Sequence, residues 1–527
     1  MIRYRHLLFS IVLLPALLLG GVMDDPPPLL DRLPGNNIGD MALGADTTLW
    51  IAAGSGVSKS TDLGETWQEF TSSNTENFPR GTISAMDVSG DTIWVATAFD
   101  TATGVGDLVA GGGLGRSFDG GETWTYIPQP VDSREDTLLA YGDTLVVLNP
   151  STTNIQNVTY DLAFRDSVVW TTSWGGGIRR STDYGQTWQR IPTPMDDMDT
   201  LSPEIVPNDY EIRLVQGEGR SGNENQKGFS VQLNGNEVWV GTSGGINRSR
   251  DGGRTWKRYH FGNAGISGNW ILALKLQKTA QNTYLWASTG QTVQSEESGI
   301  SVYDYSQDRW RTAKSVRFAN NFAFRSATNA VYAATDAGVF KSTDFGYSWE
   351  EFGTIYDQET GEPVFGSTGS RGVFYAISVL VTPSPVVQSG RLWVGTTDGL
   401  AYTDNEYQWQ VLRAFEPTVA KETTSVYAYP NPFSPSRHNR LNEEGHVRFQ
   451  YDMQTSGAVT IRVYDFAMEK VADVVVDRER PAGNFSETWD GKNRLGDIVA
   501  NGVYFCKVTI TENGDSRTHW TKLLVID

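Results

Sequence analysis

Short apolar segments that alternate with polar residues recur along the whole chain, and seven of them carry an aromatic residue near their start. They are Leu49–Ala53, Ile93–Ala96, Val168–Thr172, Val238–Thr242, Leu285–Ser288, Val331–Ala334 and Leu392–Thr396. A period of two over four to eight residues is the pattern of a half-buried strand. A second alternating segment precedes the aromatic one, as at Ile83–Val88, Phe229–Leu233 and Tyr375–Val379. Outside the first twenty residues no long stretch follows the 3.6-residue period of a helix. The pattern predicts an all-β protein made of short strands joined by tight turns.

After each aromatic segment comes a Gly-rich turn and then one phrase, S-x-D-x-G-x-[ST]-W. It stands at Ser60–Trp67, Ser117–Trp124, Ser181–Trp188, Ser249–Trp256 and Ser342–Trp349, with worn copies at Tyr303–Trp310 and Tyr402–Trp409. A unit repeated at this spacing is a supersecondary element that buries its apolar face against its neighbours. Seven units of four strands, A to D, with the phrase at the C–D hairpin, predict a seven-bladed β-propeller over residues 35–415. Within the phrase, the Asp carboxylate suits a turn because it accepts nearby backbone N–H groups. The Gly permits a positive φ, and the Trp supplies a large apolar area to bury between blades.

These residues resemble the Asp-box, or BNR, repeat of sialidases, sortilin-type receptors and oligoxyloglucan-type glycosidases. The resemblance implies that the boxes lie at blade edges, away from any catalytic face. On that basis Asp62, Trp67, Asp119, Trp124, Asp183, Trp188, Asp251, Trp256, Asp344 and Trp349 are structural, with calcium binding by the carboxylates the lesser alternative. Sialidases of this kind carry an F/Y-R-I-P segment ahead of their first boxes. Here Arg190–Pro192 follows a box instead, and most arginines, among them Arg116, Arg179, Arg180, Arg248 and Arg250, sit beside boxes. Sialidase activity is therefore not expected.

A polysaccharide hydrolase would need two carboxylates facing each other across a cleft. The candidates are Asp100, Asp336 and Asp398, which follow B strands, although Asp before Gly is also an ordinary turn former. Trp174 and Trp270 are read as loop aromatics able to stack on sugar or peptide, with packing against an insertion the competing account. Insertions are expected at 99–114, 131–156, 193–227 and 353–372, the third bearing the acidic run Asp196–Asp199 and Glu204. The five histidines are scattered, and no metal cluster or Ser-His-Asp set is legible. No cofactor is expected.

Charge narrows the partners. The 527-residue chain has 62 acidic against 43 basic residues, a formal net charge of -19. Nucleic acid and anionic lipid are thereby disfavoured as main partners. Arg3, Arg5 and His6 precede the apolar run Leu7–Leu19, and Gly20-Gly21 follows, which reads as a secretory signal over residues 1–21 and a linker over 22–34. A single cysteine, Cys506, leaves stability to packing rather than disulfides.

After Phe415 the composition changes. Residues 416–425 read as a linker, and strands follow at His446–Met453, Ala458–Phe466, Val471–Val476, Asn484–Trp489, Gly502–Thr511 and His519–Ile526. They predict a small β-sandwich over 426–527. Tyr429–Phe433, Trp489–Asn493, Gly496, Ala500–Tyr504 and Lys522–Ile526 resemble the C-terminal sorting domain of type IX (Por) secretion substrates and the related FlgD-like immunoglobulin fold. The resemblance implies export across the outer membrane of a Gram-negative bacterium by the type IX machinery, although the chain ends in Ile526-Asp527 rather than in basic residues. Two functions stand: a monomeric, secreted or surface-exposed binding scaffold for extracellular glycan or protein, and a glycoside hydrolase. A structural or adhesive role without a discrete ligand is a third.

Overall fold

The computed structural model describes residues 33, 35–104, 106–214, 222–316, 318–358, 364, 377–384, 390–413, 426–436 and 445–527. The N-terminal apolar run, the linker over 416–425 and most of the insertion over 353–372 lie outside them. Two compact units are present, one within residues 29–416 and the other holding 426–436 and 446–527.

The first unit contains seven antiparallel meanders among the described residues. In the first, strands Ile38–Leu43, Leu49–Ala53, Gly56–Ser60 and Gln68–Thr71 lie side by side in chain order. The corresponding first strands of the other sheets are Thr82–Ser89, Thr159–Arg165, Gly228–Asn234, Trp270–Lys278, Ala319–Arg325 and Ser378–Thr382. Each first strand touches that of the next sheet, and the seventh touches the first. The sheets therefore close into a ring with these strands innermost, which is a β-propeller.

The phrase builds its hairpin as a carboxylate-centred knot. Ser60 Oγ donates to Asp62 Oδ1 (2.8 Å) and accepts the Gly64 N–H (2.8 Å). Asp62 Oδ1 accepts the Thr66 N–H (2.9 Å), Oδ2 accepts the Thr66 hydroxyl (2.5 Å), and Trp67 Nε1 donates to the Gly64 carbonyl (3.1 Å). The carboxylate bonds recur around Asp119, Asp183 and Asp251, and the indole bond recurs at Trp124 and Trp188 but not at Trp256. Asp344 repeats them with Ser348 in place of threonine. The Thr187 hydroxyl, and after it the Thr187 N–H, hold Asp183 down to about 2.

The knots join the sheets. The second-strand aromatics Trp50, Trp94, Trp170, Trp239, Trp286, Tyr332 and Trp393 are all buried. Onto five of them the phrase glycine of the following sheet is laid. A Cβ built on Gly121 would stand 2.9 Å from Trp50, on Gly185 2.9 Å from Trp94, on Gly253 2.6 Å from Trp170 and on Gly346 3.0 Å from Trp286. Ring closure uses the same contact, since a Cβ on Gly64 would stand 2.6 Å from Trp393. At each of these joints a cation then donates to the carbonyl just before that glycine, and at all but Trp286 it lies over the tryptophan ring. Lys59 reaches Gly120 O (2.8 Å), Arg180 reaches Gly252 O (2.6 Å) and Arg391 reaches Leu63 O (3.1 Å), while Arg116 and Arg311 reach Tyr184 O and Phe345 O.

At the two worn phrases a carboxylate replaces that carbonyl. Arg248 lies 4.7 Å from the Trp239 ring and donates to Asp308 (3.1 Å). Glu406 accepts from Lys341 (2.5 Å), the Tyr332 hydroxyl (2.5 Å) and Arg325. The joint survives the loss of the consensus because an ion pair supplies what a backbone acceptor supplies elsewhere.

Three expected insertions are described. The one over 99–114 is no loop: Thr92–Thr103 and Gly106–Ser117 pair to their tip, so the hairpin simply extends. Residues 131–156 contribute the hairpin Leu138–Tyr141 and Thr144–Leu148, which Glu211–Ile212 of the third insertion joins in parallel. In the acidic run, Asp196 accepts the N–H groups of Glu224 (2.9 Å) and Asn225 (2.8 Å), and Glu204 pairs with Arg254 (2.8 Å). These carboxylates staple their loop.

The second unit is two sheets on one core. Tyr427–Tyr429, Val447–Met453 and Gly483–Trp489 form one sheet, and Lys470–Arg480, Gly457–Tyr464, Gly502–Glu512 and Asp515–Val525 the other. Phe433, Phe449, Tyr451, Trp489 and Cys506 lie between them. Burial raises the Cys506 thiol well above its usual range, which leaves it a packing residue. Phe433 exchanges backbone bonds with Leu524 (2.8 Å) and Ile526 (2.9 Å), tying the Tyr429–Phe433 segment to the last strand.

The ring-closing contact gives a direct test. Gly64→Ala places a methyl group against Trp393 at a φ of +95°, so stability should fall by about 2–4 kcal/mol. Gly90 has a φ of +61° but open space around it, so Gly90→Ala should cost only about 1 kcal/mol. Urea unfolding midpoints compare the two, and equal losses would sink the packing account.

Candidate binding site at the propeller mouth

All seven innermost strands run in one sense along the ring, so their starts gather at one mouth together with the turns between second and third strands. A register shift falls near the start of six of the seven. Such a bulge re-aims the side chain of the extra residue. In the third and fourth sheets that residue is Tyr160 and Phe229, in the intervals Thr159/Asp161 and Gly228/Ser230.

These two rings begin an aromatic arc. Tyr160 stacks on Phe229 with centroids 5.2 Å apart, Phe229 meets Trp270 edge-on at 5.6 Å, and Trp270 meets Phe318 edge-on at 6.2 Å. The four belong to consecutive sheets. Tyr160 is 43% exposed, and the other three are half-buried. Trp174, in the turn after Val168–Ser173, is also half-buried at this mouth, and Lys227 Nζ lies 5.1 Å from its ring. Of the two tryptophans picked from the sequence, Trp270 joins the arc, whereas Trp174 pairs with a lysine.

Polar residues of the innermost strands follow. Asp87 accepts the Phe164 N–H (3.1 Å), Asp161 the Val231 N–H (2.8 Å) and Gln232 the Leu276 N–H (3.2 Å), each from the next sheet in the ring. Asn321 donates to Asp40 (3.2 Å). Asp161 feels the charges of Asp40, Asp87 and Lys275, so these groups from four different sheets converge on the axis. Burial pushes Asp161 up to about 7 and Asp87 to about 6, against the partial compensation of the amide bond at Asp161 and of Lys275 at Asp87. All three carboxylates keep some accessible surface and Lys275 is exposed, so the axis is reachable by solvent.

The three acids chosen from the sequence stand in three different settings. Asp100 lies within a strand of the extended hairpin, opposite Val109, and is exposed; the expectation that it follows a strand in a loop is corrected. Asp336 is half-buried and accepts the Phe318 N–H (3.2 Å) of its own sheet. Asp398 is buried and bonded to Arg413 (3.3 Å), which also holds Asp357 (2.9 Å). Arg179 and Arg190 are likewise buried around Asp132, at 2.7 and 3.3 Å. Among the described residues no group of His, Cys, Asp and Glu is placed to hold a metal.

No family model matches the chain, and no curated protein matches it. Solved structures similar to it include a GH74 enzyme from Niastella koreensis, 14% identical, with a TM-score of 0.48 over 94% of this chain and 73% of that one. Another is an ancestral GH74 enzyme, 16% identical, TM-score 0.49, over 94% of this chain and 63% of that one. A third is PorZ, a bacterial surface component of the type-IX secretion system of Porphyromonas gingivalis, 14% identical, TM-score 0.36, over 91% of this chain and 64% of that one. Likeness at this level carries no statement about a shared activity.

The axial carboxylates set a pH dependence. A carboxyl whose pKa is raised on folding contributes stability that is full below about 4 and is lost as pH rises through about 7. Asp161→Asn keeps an acceptor for the Val231 N–H and removes the charge. Its melting temperature should fall less between pH 5 and pH 8 than that of the wild type, by on the order of 2 °C or more. Parallel pH profiles would refute the assignment.

Proposed function

We propose that this chain is a binding scaffold displayed outside a Gram-negative bacterial cell, and that it takes a glycan at the propeller mouth. The observation that carries this is the arc Tyr160–Phe229–Trp270–Phe318, four rings in unbroken contact across four sheets. Aromatic rings offer a broad apolar surface with a negative face, which suits the C–H faces of sugar rings. Three of the rings stand on strands and Phe318 immediately before one, so little ordering would be needed on binding.

On this reading the ring is a seven-bladed Asp-box propeller and the second unit an Ig-like sorting module used by the type IX machinery. Supporting it are the five intact phrases, the order of segments from Tyr429–Phe433 to Lys522–Ile526, and the basic-then-apolar start of the chain. The hydrolase reading is weaker because Asp398 is committed to Arg413 and Asp100 stands on an exposed hairpin. Two opposed carboxylates, one protonated, are what that chemistry needs.

Screening the full chain on a glycan array should identify a ligand whose affinity falls at least tenfold in Trp270→Ala and Tyr160→Ala. Hydrolysis of any polysaccharide by the wild type, lost in Asp336→Ala or Asp398→Ala, would overturn the scaffold reading. In the native host, a chain lacking residues 426–527 should accumulate in the periplasm; its normal appearance in the medium would remove the sorting role.

A further inference from the structure

In the second unit, the four-stranded sheet buries one face in the core and leaves the other open. Alternation along Gly502–Glu512 sends Tyr504, Cys506, Val508 and Ile510 inward. Phe505 and Lys507 therefore point outward. On the neighbouring strands the outward partners are set by register. Tyr464 stands opposite Phe505, and Phe505 opposite Lys522; Arg462 stands opposite Lys507, and Lys507 opposite Trp520. The open face thus carries two cross-strand rows, Tyr464–Phe505–Lys522 and Arg462–Lys507–Trp520.

The rings are gathered rather than scattered. Tyr464 and Trp520 lean over the middle strand to a centroid distance of 5.6 Å, and Phe466 extends the patch to within 6.4 Å of Phe505. Phe466 is 80% exposed and Trp520 36%. Arg462 is neutralised by Asp473 at 3.0 Å. Lys507 lies 5.8 Å from the Trp520 ring, and neither Lys507 nor Lys522 has an ion-pair partner among the described residues. Two uncompensated ammonium groups thus stand among four aromatic rings, on a chain whose net charge is -19. Residues 426–527 hold 12 Lys and Arg against 14 Asp and Glu, so nearly all the excess acid lies elsewhere.

We propose that this open sheet face binds an acidic polysaccharide in which carboxylate-bearing sugars alternate with neutral ones. Rings and lysines interleave on the face as neutral and charged sugars do along such a chain. The aromatic faces take the C–H sides of sugar rings, and Lys507 and Lys522 take carboxylates. Strands about 4.8 Å apart present the Lys507 and Lys522 ammonium groups and the rings on adjacent rows of one sheet. Two free ammonium groups do not make the continuous cationic groove that tracks a nucleic-acid backbone. The surface is independent of the mouth of the propeller, and its failure would leave that site untouched.

Affinity electrophoresis of the full chain in gels containing hyaluronan tests the proposal, with dextran as the neutral polymer. Hyaluronan should retard the wild type, and the effect should shrink with added salt. The double variant Lys507→Glu/Lys522→Glu and the single variant Trp520→Ala should each lose retardation at least tenfold, whereas Tyr407→Ala, at an exposed ring of the first unit, should keep it. Circular dichroism checks folding; if the charge reversal unfolds the unit, Lys507→Gln/Lys522→Gln is read instead. Absence of retardation, equal retardation by dextran, or retardation unchanged in the variants overturns the proposal. Tighter capture by poly(dT) would assign the face to nucleic acid. Wild-type self-association in light scattering that the variants abolish would assign it to a second copy of the chain.

Discussion

Five of the seven joints in the ring depend on one contact, a buried tryptophan of one sheet against the phrase glycine of the next. The indole supplies the apolar area, the glycine lets the hairpin come down onto it, and a cation bonds to the hairpin's backbone. Among the described residues no strand is exchanged between the first and seventh sheets, and closure uses the same side-chain contact as the internal joints, helped by the bond from Gly399 N to Asn36 O at 2.8 Å. The aspartate of the phrase acts one step back. By fixing the turn it presents the glycine and the carbonyl to the neighbouring sheet at the right place.

The same logic explains how the worn repeats are tolerated. What a joint needs is an acceptor for the cation and a flat partner for the aromatic, not a particular octapeptide. Asp308 and Glu406 provide charged acceptors where the backbone acceptor is not used. A charge-assisted bond is stronger than a bond to a carbonyl, and the two worn hairpins remain tied around Asp304, which accepts the Ser306 and Gln307 N–H groups, and Asn405, which accepts those of Tyr407 and Gln408.

Ring closure also creates the axis. Side chains from the first, second, third and fifth sheets, separated by tens of residues in sequence, share one space there and perturb one another's protonation. Bulges turn Tyr160 and Phe229 toward the mouth, and Trp270, at the first residue of its strand, and Phe318, just before the next, continue the contact into one aromatic arc. The open sheet of the second unit reaches a comparable mixture of rings and lysines by another route, the plain alternation of three adjacent strands.

Much of the fold was legible in the chain because its signals are local. The phrase, the aromatic strand before it and the alternation of the tail each lie within about ten residues, the range over which strand period and turn chemistry act. Trp270 could be singled out as a large ring near a glycine. Tyr160, Phe229 and Phe318 could not, since each is a lone aromatic among polar and small residues at or just before the start of a strand; bulges turn the first two to the mouth, and closure of the ring brings Phe318 against Trp270. Asp40, Asp87 and Asp161 left a fainter trace, a carboxylate inside an otherwise apolar strand, without any indication that they would meet. Asp398 looked available until folding brought Arg413 and Asp357 to it. The sequence by itself determined which segments are strands and how their hairpins are tied, because those bonds run between near neighbours. Which side chains face one another across the axis, and which acids are spent on buried arginines, was decided only when distant strands closed the ring.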